Sequence, residues 1–425
     1  MPLSPQLLQA PPAASAYCVA FSGGMDSTVL LHLAQAARLP NLSAIHIHHG
    51  LQDDADRWAA QCQAQCEALG VPLQVLRVQV DARHPQGPEA AAREARYAAL
   101  RAQLPAGAAL LTAHHAGDQS ETVLLRLLRG TGVEGLAAMS VQSALGEHLH
   151  WRSLLRTARK ALLDHAQSHG LRWIEDPHNR DPRYARSWLR AEVLPTLKQR
   201  WPDADAQLAR AAEHAADATL LLTALAEQLL LKLEGENGGL SVPGLLQLTA
   251  AERRLVLRHW LQQRGLPPPF AHTLQQLDID VLSAGVTAMP LLRWPGAEFR
   301  RYRHTLFAGP TLAALPDDLC LDWDGRAPLV LPAGLGELSA DTPQALQVRF
   351  GVPGLRIRRA GHAQHSSFKH LCQEAGVPTW WRSRLPIIFV NHTVASIAGH
   401  WNTAEAPALR WRTQESWGLP ASWQQ

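Results

Sequence analysis

Ser22, Gly23, Gly24, Met25, Asp26 and Ser27 stand between an apolar run at 17–21 and a second one at 28–37. The first run is short enough for a buried strand and the second has helical spacing, so the six residues read as a strand-to-helix turn. Two glycines permit a tight bend and bring backbone N–H groups close to a ligand, while two serines add hydroxyl donors. The start of the following helix adds partial positive charge, which suits a phosphate. A plain glycine turn with Asp26 or Ser27 capping the helix is the rival reading. The other common phosphate loop, GxxxxGK[ST], is not matched, because no lysine follows the glycines.

Other residues able to do chemistry fall at comparable places. His46, His48, His49 and Gly50 close a strand-like run, and His114 and His115 end another. Asp118 and Glu121 follow, three apart at the start of a helix, where they share a face and could hold a divalent metal. A helix-start device, with Asp118 as cap and Glu121 at the third position, also fits. Beside a phosphate loop the metal reading is favoured, because Mg²⁺ usually takes one or two carboxylates plus substrate phosphates. Arg93 and Arg96 share one side of a helix next to Tyr97. Arg186 and Arg190, four apart, follow a loop that Pro177 and Pro182 keep extended, and such a pair could steady a transferred phosphate.

The elements that must position these residues alternate. Strands are expected at 17–21, 42–48, 73–80 and 109–113, with helices at about 26–37, 54–69, 89–103 and 119–129. Pro88 at a helix start and Asp53 as a cap mark two of the boundaries. Such repeating units imply a parallel sheet covered by helices on both faces, with ligands outside the carboxyl ends of its strands. The glycine loop and both histidine clusters fall there. Residues 205–311 are Ala- and Leu-rich with helical spacing and read as a helical middle domain, in which Arg253, Arg254 and Arg258 offer phosphate contacts or simply a solvated face. Residues 312–343 read as a connector with short strands. Residues 345–425 read as a small α+β domain, with strands at 348–350, 354–359, 386–390 and 394–398 around a helix at 366–375.

At 425 residues, 46% hydrophobic and 18% charged, the chain reads as a soluble protein of two or three domains. The longest apolar stretch, 215–233, is interrupted by Asp217, Glu227 and Lys232 and reads as a core helix. Residues 1–15 lack a basic start and a continuous apolar run, so a secretory signal is not expected. Five scattered cysteines fit a reducing cytoplasm, and Cys62 and Cys66 have no second pair to complete a metal site. Net charge is +3, unevenly spread. Residues 152–200 carry eleven Lys/Arg against five acids, and 345–425 nine against three, whereas 201–344 carry eleven against seventeen. Two basic segments flanking an acidic one suit a polyanion gripped at two places. Trp380, Trp381, Trp401 and Trp411 offer stacking surfaces for unpaired bases, or core packing.

Taken in order, these motifs resemble a known family. The 22–27 loop is similar to that of the PP-loop ATP pyrophosphatases, which cleave ATP between its α- and β-phosphates. The series at 46–51, 114–122, 129–132 (Arg129, Gly130, Thr131, Gly132), 135–139 and 175–190 resembles the tRNA(Ile)-lysidine synthetases among them. The likeness is strong over about 17–195 and weak over 205–310. It returns at 355–401 with Gly361, Lys369, Val377, Pro378, Thr379, Trp380, Arg382, Pro386 and Gly399.

The resemblance implies three parts: a PP-loop catalytic domain at 1–204, a helical tRNA-binding domain at 205–311 and a C-terminal α+β tRNA-binding domain at 345–425. It implies ATP and Mg²⁺ as cofactors, and L-lysine and an isoleucine tRNA with a CAU anticodon as partners, in a cytoplasmic monomer or homodimer. Ser22, Gly23, Gly24, Met25, Asp26, Ser27, His48 and His115 are then expected to bind the nucleotide. Asp26, Asp118 and Glu121 are expected to handle the metal and, with Arg93, Arg96 and Arg186, the catalysis. Arg190, Lys369 and Arg382 are expected on tRNA. Asp118 or Glu121 is the expected proton acceptor. Two departures stand out: Gly117 where the family often has an acid, and Ser187 where it commonly has Asn. A tRNA thiolase on the same ATP loop is the alternative, although that chemistry usually uses paired cysteines.

Overall fold

The computed structural model describes residues 3–4, 8, 11–48, 50, 54–79, 88–175, 185–235, 237–316, 318–341, 343–413 and 417–423. Asp53, His49, Leu51 and residues 176–184, where an extended loop is expected, lie outside them. The chain divides into two compact units, 1–221 and 222–425.

The first unit is built on a six-stranded sheet of order β3-β2-β1-β4-β6-β5. Its strands are β1 (Tyr17–Ala20), β2 (Leu42–His48), β3 (Leu73–Arg77), β4 (Ala109–Leu111), β5 (Gln142–Leu145) and β6 (His148–Trp151). All pairings are parallel except β5 with β6. Alternation along β1 explains why both faces need cover. Tyr17, Val19 and Phe21 join one core with Leu30, Leu33, Cys62, Cys66 and Leu162, while Cys18 and Ala20 join a second with Ile45, Leu100 and Leu110. Helices α1 (Met25–Ala36), α2 (Ala55–Leu69) and α6 (Arg159–Ser168) supply the first, and α3 (Pro88–Gln103) the second. Helix α4 (Ala116–Leu128) follows β4, and the short α5 (Val133–Leu136) follows it. Strand order reverses between β1 and β4, which opens a crevice at their carboxyl ends.

From residue 185 on, α7 (Ala185–Trp188) runs through a π-helical turn at Leu189–Val193 into α8 (Leu194–Arg200). Helix α9 (Ala204–Leu233) follows and crosses the division between the units.

In the second unit helices cover Val242–Gln247, Ala250–Gln263 and Ala271–Gln276, and of these only the one at 250–263 follows an expected helical spacing. They pack with a four-stranded antiparallel sheet of Leu240–Ser241, Thr305–Pro310, Ala297–Tyr302 and Leu291–Trp294, which helical spacing did not announce. Arg253 is committed to structure here, with Nε donating to Asp278 Oδ1 at 2.8 Å and Nη1 donating to the carbonyls of Leu245 and Leu248. Arg254 and Arg258 are exposed.

The expected connector contributes Cys320–Trp323, Leu329–Val330 and Glu337–Ala340 to two C-terminal sheets, alongside Leu346–Arg349, Ile387–Val390, Thr393–Ile397, Trp401–Asn402 and Leu409–Arg412. One helix covers Phe368–Glu374 and a short second one Thr379–Arg382. Trp380, Trp381, Trp401 and Trp411 are all buried in this core, so packing and not base stacking explains them. Among the described residues no helix is long and apolar enough to cross a membrane.

Candidate active site

The glycine loop bends because Gly23 takes φ +78°, a left-handed conformation that L side chains rarely adopt. A Cβ there would also lie 2.5 Å from Ile174 Cδ1 and 2.7 Å from Cys62 Sγ. The Ile174 N–H donates to Gly23 O at 2.9 Å, so the 171–175 segment lies directly against the loop. Gly24 caps α1 without a side-chain hydrogen bond, which sets aside Asp26 or Ser27 as the cap. Ser27 Oγ donates to Gly24 O at 3.0 Å and lies 3.1 Å from Ser22 Oγ. Both hydroxyls and the start of α1 therefore face one place.

That place is a cavity of about 330 Å³ at the β1–β4 crevice. Ser22, Gly24, Met25, Asp26 and Ser27 form one wall, and Thr112, His114 and Asp118 another. Arg96, Arg159, Arg190 and the strap Trp173, Ile174 and Glu175 complete it. Asp26 Oδ1 is buried without a hydrogen-bond partner, with Arg159 Nε at 4.0 Å. Burial pushes the Asp26 carboxyl above its ordinary range, against the pull of His115 and Arg159.

Helix α4 begins on a capping box that the sequence placed differently. His115, not Asp118, is the cap: the Gly117 and Asp118 N–H groups donate to His115 Nδ1 at 3.0 and 3.4 Å, and the His115 N–H donates to Asp118 Oδ2 at 3.0 Å. With Nδ1 accepting, His115 carries its proton on Nε2, 3.9 Å from Asp26 Oδ2. A Cβ at Gly117 would lie 2.9 Å from His115 Cε1, so the glycine gives the ring room to fold back.

Asp118 and Glu121 do share a face, and Arg190 spans them. Its Nε donates to Glu121 Oε1 at 2.6 Å, and its Nη2 donates to Glu121 Oε2 at 3.0 Å and Asp118 Oδ1 at 3.1 Å. Burial raises the Glu121 carboxyl and the Arg190 guanidinium draws it back. Glu121 does not line the cavity; Asp118 does. Arg186 Nη2 reaches Thr122 Oγ1 only at 3.5 Å.

The remaining expected residues divide. Arg96 lines the cavity, and desolvation there lowers its guanidinium. Arg93 is exposed, with its guanidinium 5.0 Å above the Tyr97 ring. His48 is buried against Asp56, with Nε2 3.1 Å from Oδ1, and does not line the cavity. In the second unit Lys369 is exposed, whereas Arg382 donates to the Val377 carbonyl and to Tyr302 Oη. Sequence reasoning missed Arg159 and Thr112. The basic excess after residue 152 was the available signal for Arg159; Thr112 gave none.

A PP-loop domain model matches residues 4–197, a TilS substrate binding domain model 240–307, and a TilS substrate C-terminal domain model 346–417. Of the curated relatives, the tRNA(Ile)-lysidine synthase of Xanthomonas axonopodis pv. citri is 43% identical over 93% of each chain. The chain belongs to the tRNA(Ile)-lysidine synthase family. Other members give the same picture. The synthase of Alkalilimnicola ehrlichii is 46% identical over 91% of this chain and 89% of its own, and that of Methylococcus capsulatus 41% identical over 92% and 93%. The PP-loop model spans the sheet and its crevice, so the family's ATP-binding domain and the cavity are one region of the chain.

Proposed function

We propose that this protein joins L-lysine to the 2-carbon of the wobble cytidine of an isoleucine tRNA with a CAU anticodon, consuming ATP. The observation that carries the reading is the convergence of Ser22, Gly24, Ser27, Asp26 and Asp118 on one cavity at a sheet switch point, in a chain of this family. ATP lies along the glycine loop. The cytosine 2-oxygen attacks the α-phosphorus, the bond to the bridging oxygen breaks, and pyrophosphate leaves. The neutral lysine amine then attacks the 2-carbon of the adenylated cytidine, AMP leaves with the bonding pair, and the amine gives up a proton. An anticodon loop presents its base unpaired, which lets it reach such a cavity.

The residues fit magnesium, because Asp26 has a buried acceptor oxygen with no donor and Asp118 shares its cavity. Among the described residues no three His, Cys, Asp or Glu side chains converge as a metal cage, which suits an ion held by one or two carboxylates and by phosphates. Asp26 and Asp118 would hold it, and it would neutralise charge on the phosphates. Glu121, expected as a third ligand, is engaged by Arg190 and acts as the anchor of that arginine. Arg96 and Arg159 offer cations to the phosphates. Asp118 is the better placed proton acceptor, since Glu121 is off the cavity. We assign catalysis to 1–204 and tRNA binding to 205–311 and 345–425, with Lys369 on RNA. Arg382, tied to its own neighbours, is reassigned to holding that fold.

A thiolase reading has less support. The Cys62 and Cys66 thiols are buried, pushed up to about 12 and 11, and neither lines the cavity. The test is purified protein with ATP, Mg²⁺, labelled lysine and an isoleucine tRNA transcript with a wobble cytidine. Label on the RNA is expected; lysine that stays off it sinks the reading.

A further inference from the structure

Arg152, His150, Thr112 and His114 form a chain of hydrogen bonds that ends at the cavity and serves no step above. Arg152 is anchored first: its Nη1 donates to Ser140 O at 2.8 Å and Ser143 Oγ at 3.1 Å. Its Nη2 lies 2.8 Å from His150 Nδ1. A guanidinium only donates, so His150 Nδ1 must be the acceptor and the ring must carry its proton on Nε2. That Nε2 lies 2.8 Å from Thr112 Oγ1 and therefore donates to it. The buried Thr112 hydroxyl has one other partner, His114 Nδ1 at 2.7 Å. Its hydrogen is satisfied only by donating there, since a buried hydroxyl seldom goes unpaired. His114 Nδ1 is thus an acceptor, and the neutral ring carries its proton on Nε2.

His114 lines the cavity beside Asp118 and Arg96. We infer that His114 is a substrate-binding residue, held by the Arg152–His150–Thr112 chain as an uncharged Nε2–H donor to an oxygen of the bound substrate. The inference rests on the nucleotide and RNA reading of this cavity. The chemistry required of the ligand is an oxygen acceptor, supplied either by an ATP phosphate or by the cytosine carbonyl. A lysine at this place would supply charge without fixed direction. An imidazole locked from behind supplies direction without charge, in a wall that already has Arg96 and Arg159. Burial, with arginines nearby, pushes both His114 and His150 down to about 3, so neither ring adds a proton near neutral pH.

The test has two arms. Ring ¹⁵N–¹H correlation spectra of the unliganded protein, with His114 identified by loss of its signals in His114→Gln, should show the Nε2–H form. Thr112→Val should abolish that single form and Thr112→Ser restore it. A wild-type ring protonated on Nδ1 overturns the inference, whatever the reaction proves to be. In the second arm His114→Leu should weaken the substrate about tenfold, as loss of one hydrogen bond does, and His114→Gln, whose amide N–H reaches the Nε2 position, should recover most of it. A rise in the Kd for ATP measured without RNA identifies a phosphate oxygen. An unchanged ATP Kd with a raised KM for tRNA identifies the base carbonyl. If His114→Leu, folded by its thermal melt, alters neither beyond twofold, the role is wrong.

Discussion

Glu121 is a carboxylate with 1% of its side chain exposed, and among the described residues its side-chain hydrogen bonds come from Arg190, itself 42% exposed. Removing one partner of such a pair costs more than the pair contributes, because the other is left buried and charged. Arg190→Ala should destabilise the protein by about 2 kcal/mol, toward the low end for a buried pair because the arginine is half in water. Adding Glu121→Gln should recover part of that loss, and thermal unfolding checks both. Asp26 is the contrasting case, a carboxylate whose inner oxygen has no donor. Asp26→Ala should abolish AMP release from ATP while leaving tRNA retention on a filter within about twofold; if retention collapses as well, Asp26 has a structural role. The residue scale was also the least legible in sequence. The pairing of Asp118 with Glu121 could be read from their spacing by three. That His115 and not Asp118 caps α4 could not, because the ring folds back only beside a glycine.

At the scale of elements, β1, β2, β4 and α1 to α4 fall within a few residues of their expected places, since the strands are apolar runs buried on both faces and the helices carry a periodic apolar face. The middle sheet escaped notice for the opposite reason. Its strands include Glu298, fully buried between Arg293 and Arg300 at 2.9 and 2.7 Å, and such a pairing is invisible to apolar periodicity. The contact of α1 with α6 carries a titratable cluster. His165 Nε2 lies 3.1 Å from His32 Nδ1, and its ring stacks on His169 with centroids 4.1 Å apart. Burial, with His169 and His32 beside it, pushes His165 from 6.5 down to about 4. The unfolded chain therefore binds the extra proton between those values, so stability is complete above about pH 6.5 and falls as pH drops toward about 4. Thermal melts across this window should show that loss, and His165→Leu should reduce it without removing it, because His114 and His150, pushed down to about 3, contribute over the same window.

For the whole molecule, the uneven charge remains the guide. The basic C-terminal part has its tryptophans inside, and Trp381 Nε1 donates to Trp417 O at 2.9 Å within that core. On the proposed reading, RNA contact by this part would come from exposed cations such as Lys369, a mode dominated by phosphates. Affinity for tRNA should fall steeply as salt is raised from about 50 to 200 mM, and deleting 345–425 should lower both the affinity and the slope. A flat salt response would count against phosphate contacts altogether. Composition announced this electrostatic pattern, but it could not separate tryptophans that pack from tryptophans that stack, because both uses favour the same residue.

Cys62 sits where a side chain on Gly23 would go, its sulfur sealed beneath the glycine loop. A thiol so buried, with its thiolate form suppressed, does not react with alkylating agents until the loop and the 171–175 strap part. It is a built-in reporter of that opening. Cys320, exposed in the second unit, serves as an internal clock for the reagent. Peptide mapping after timed alkylation should find Cys320 modified at once and Cys62 slowly, and saturating ATP should slow Cys62 alone. The rate at which the nucleotide site breathes can thus be measured in the unaltered protein, without a label or a mutation.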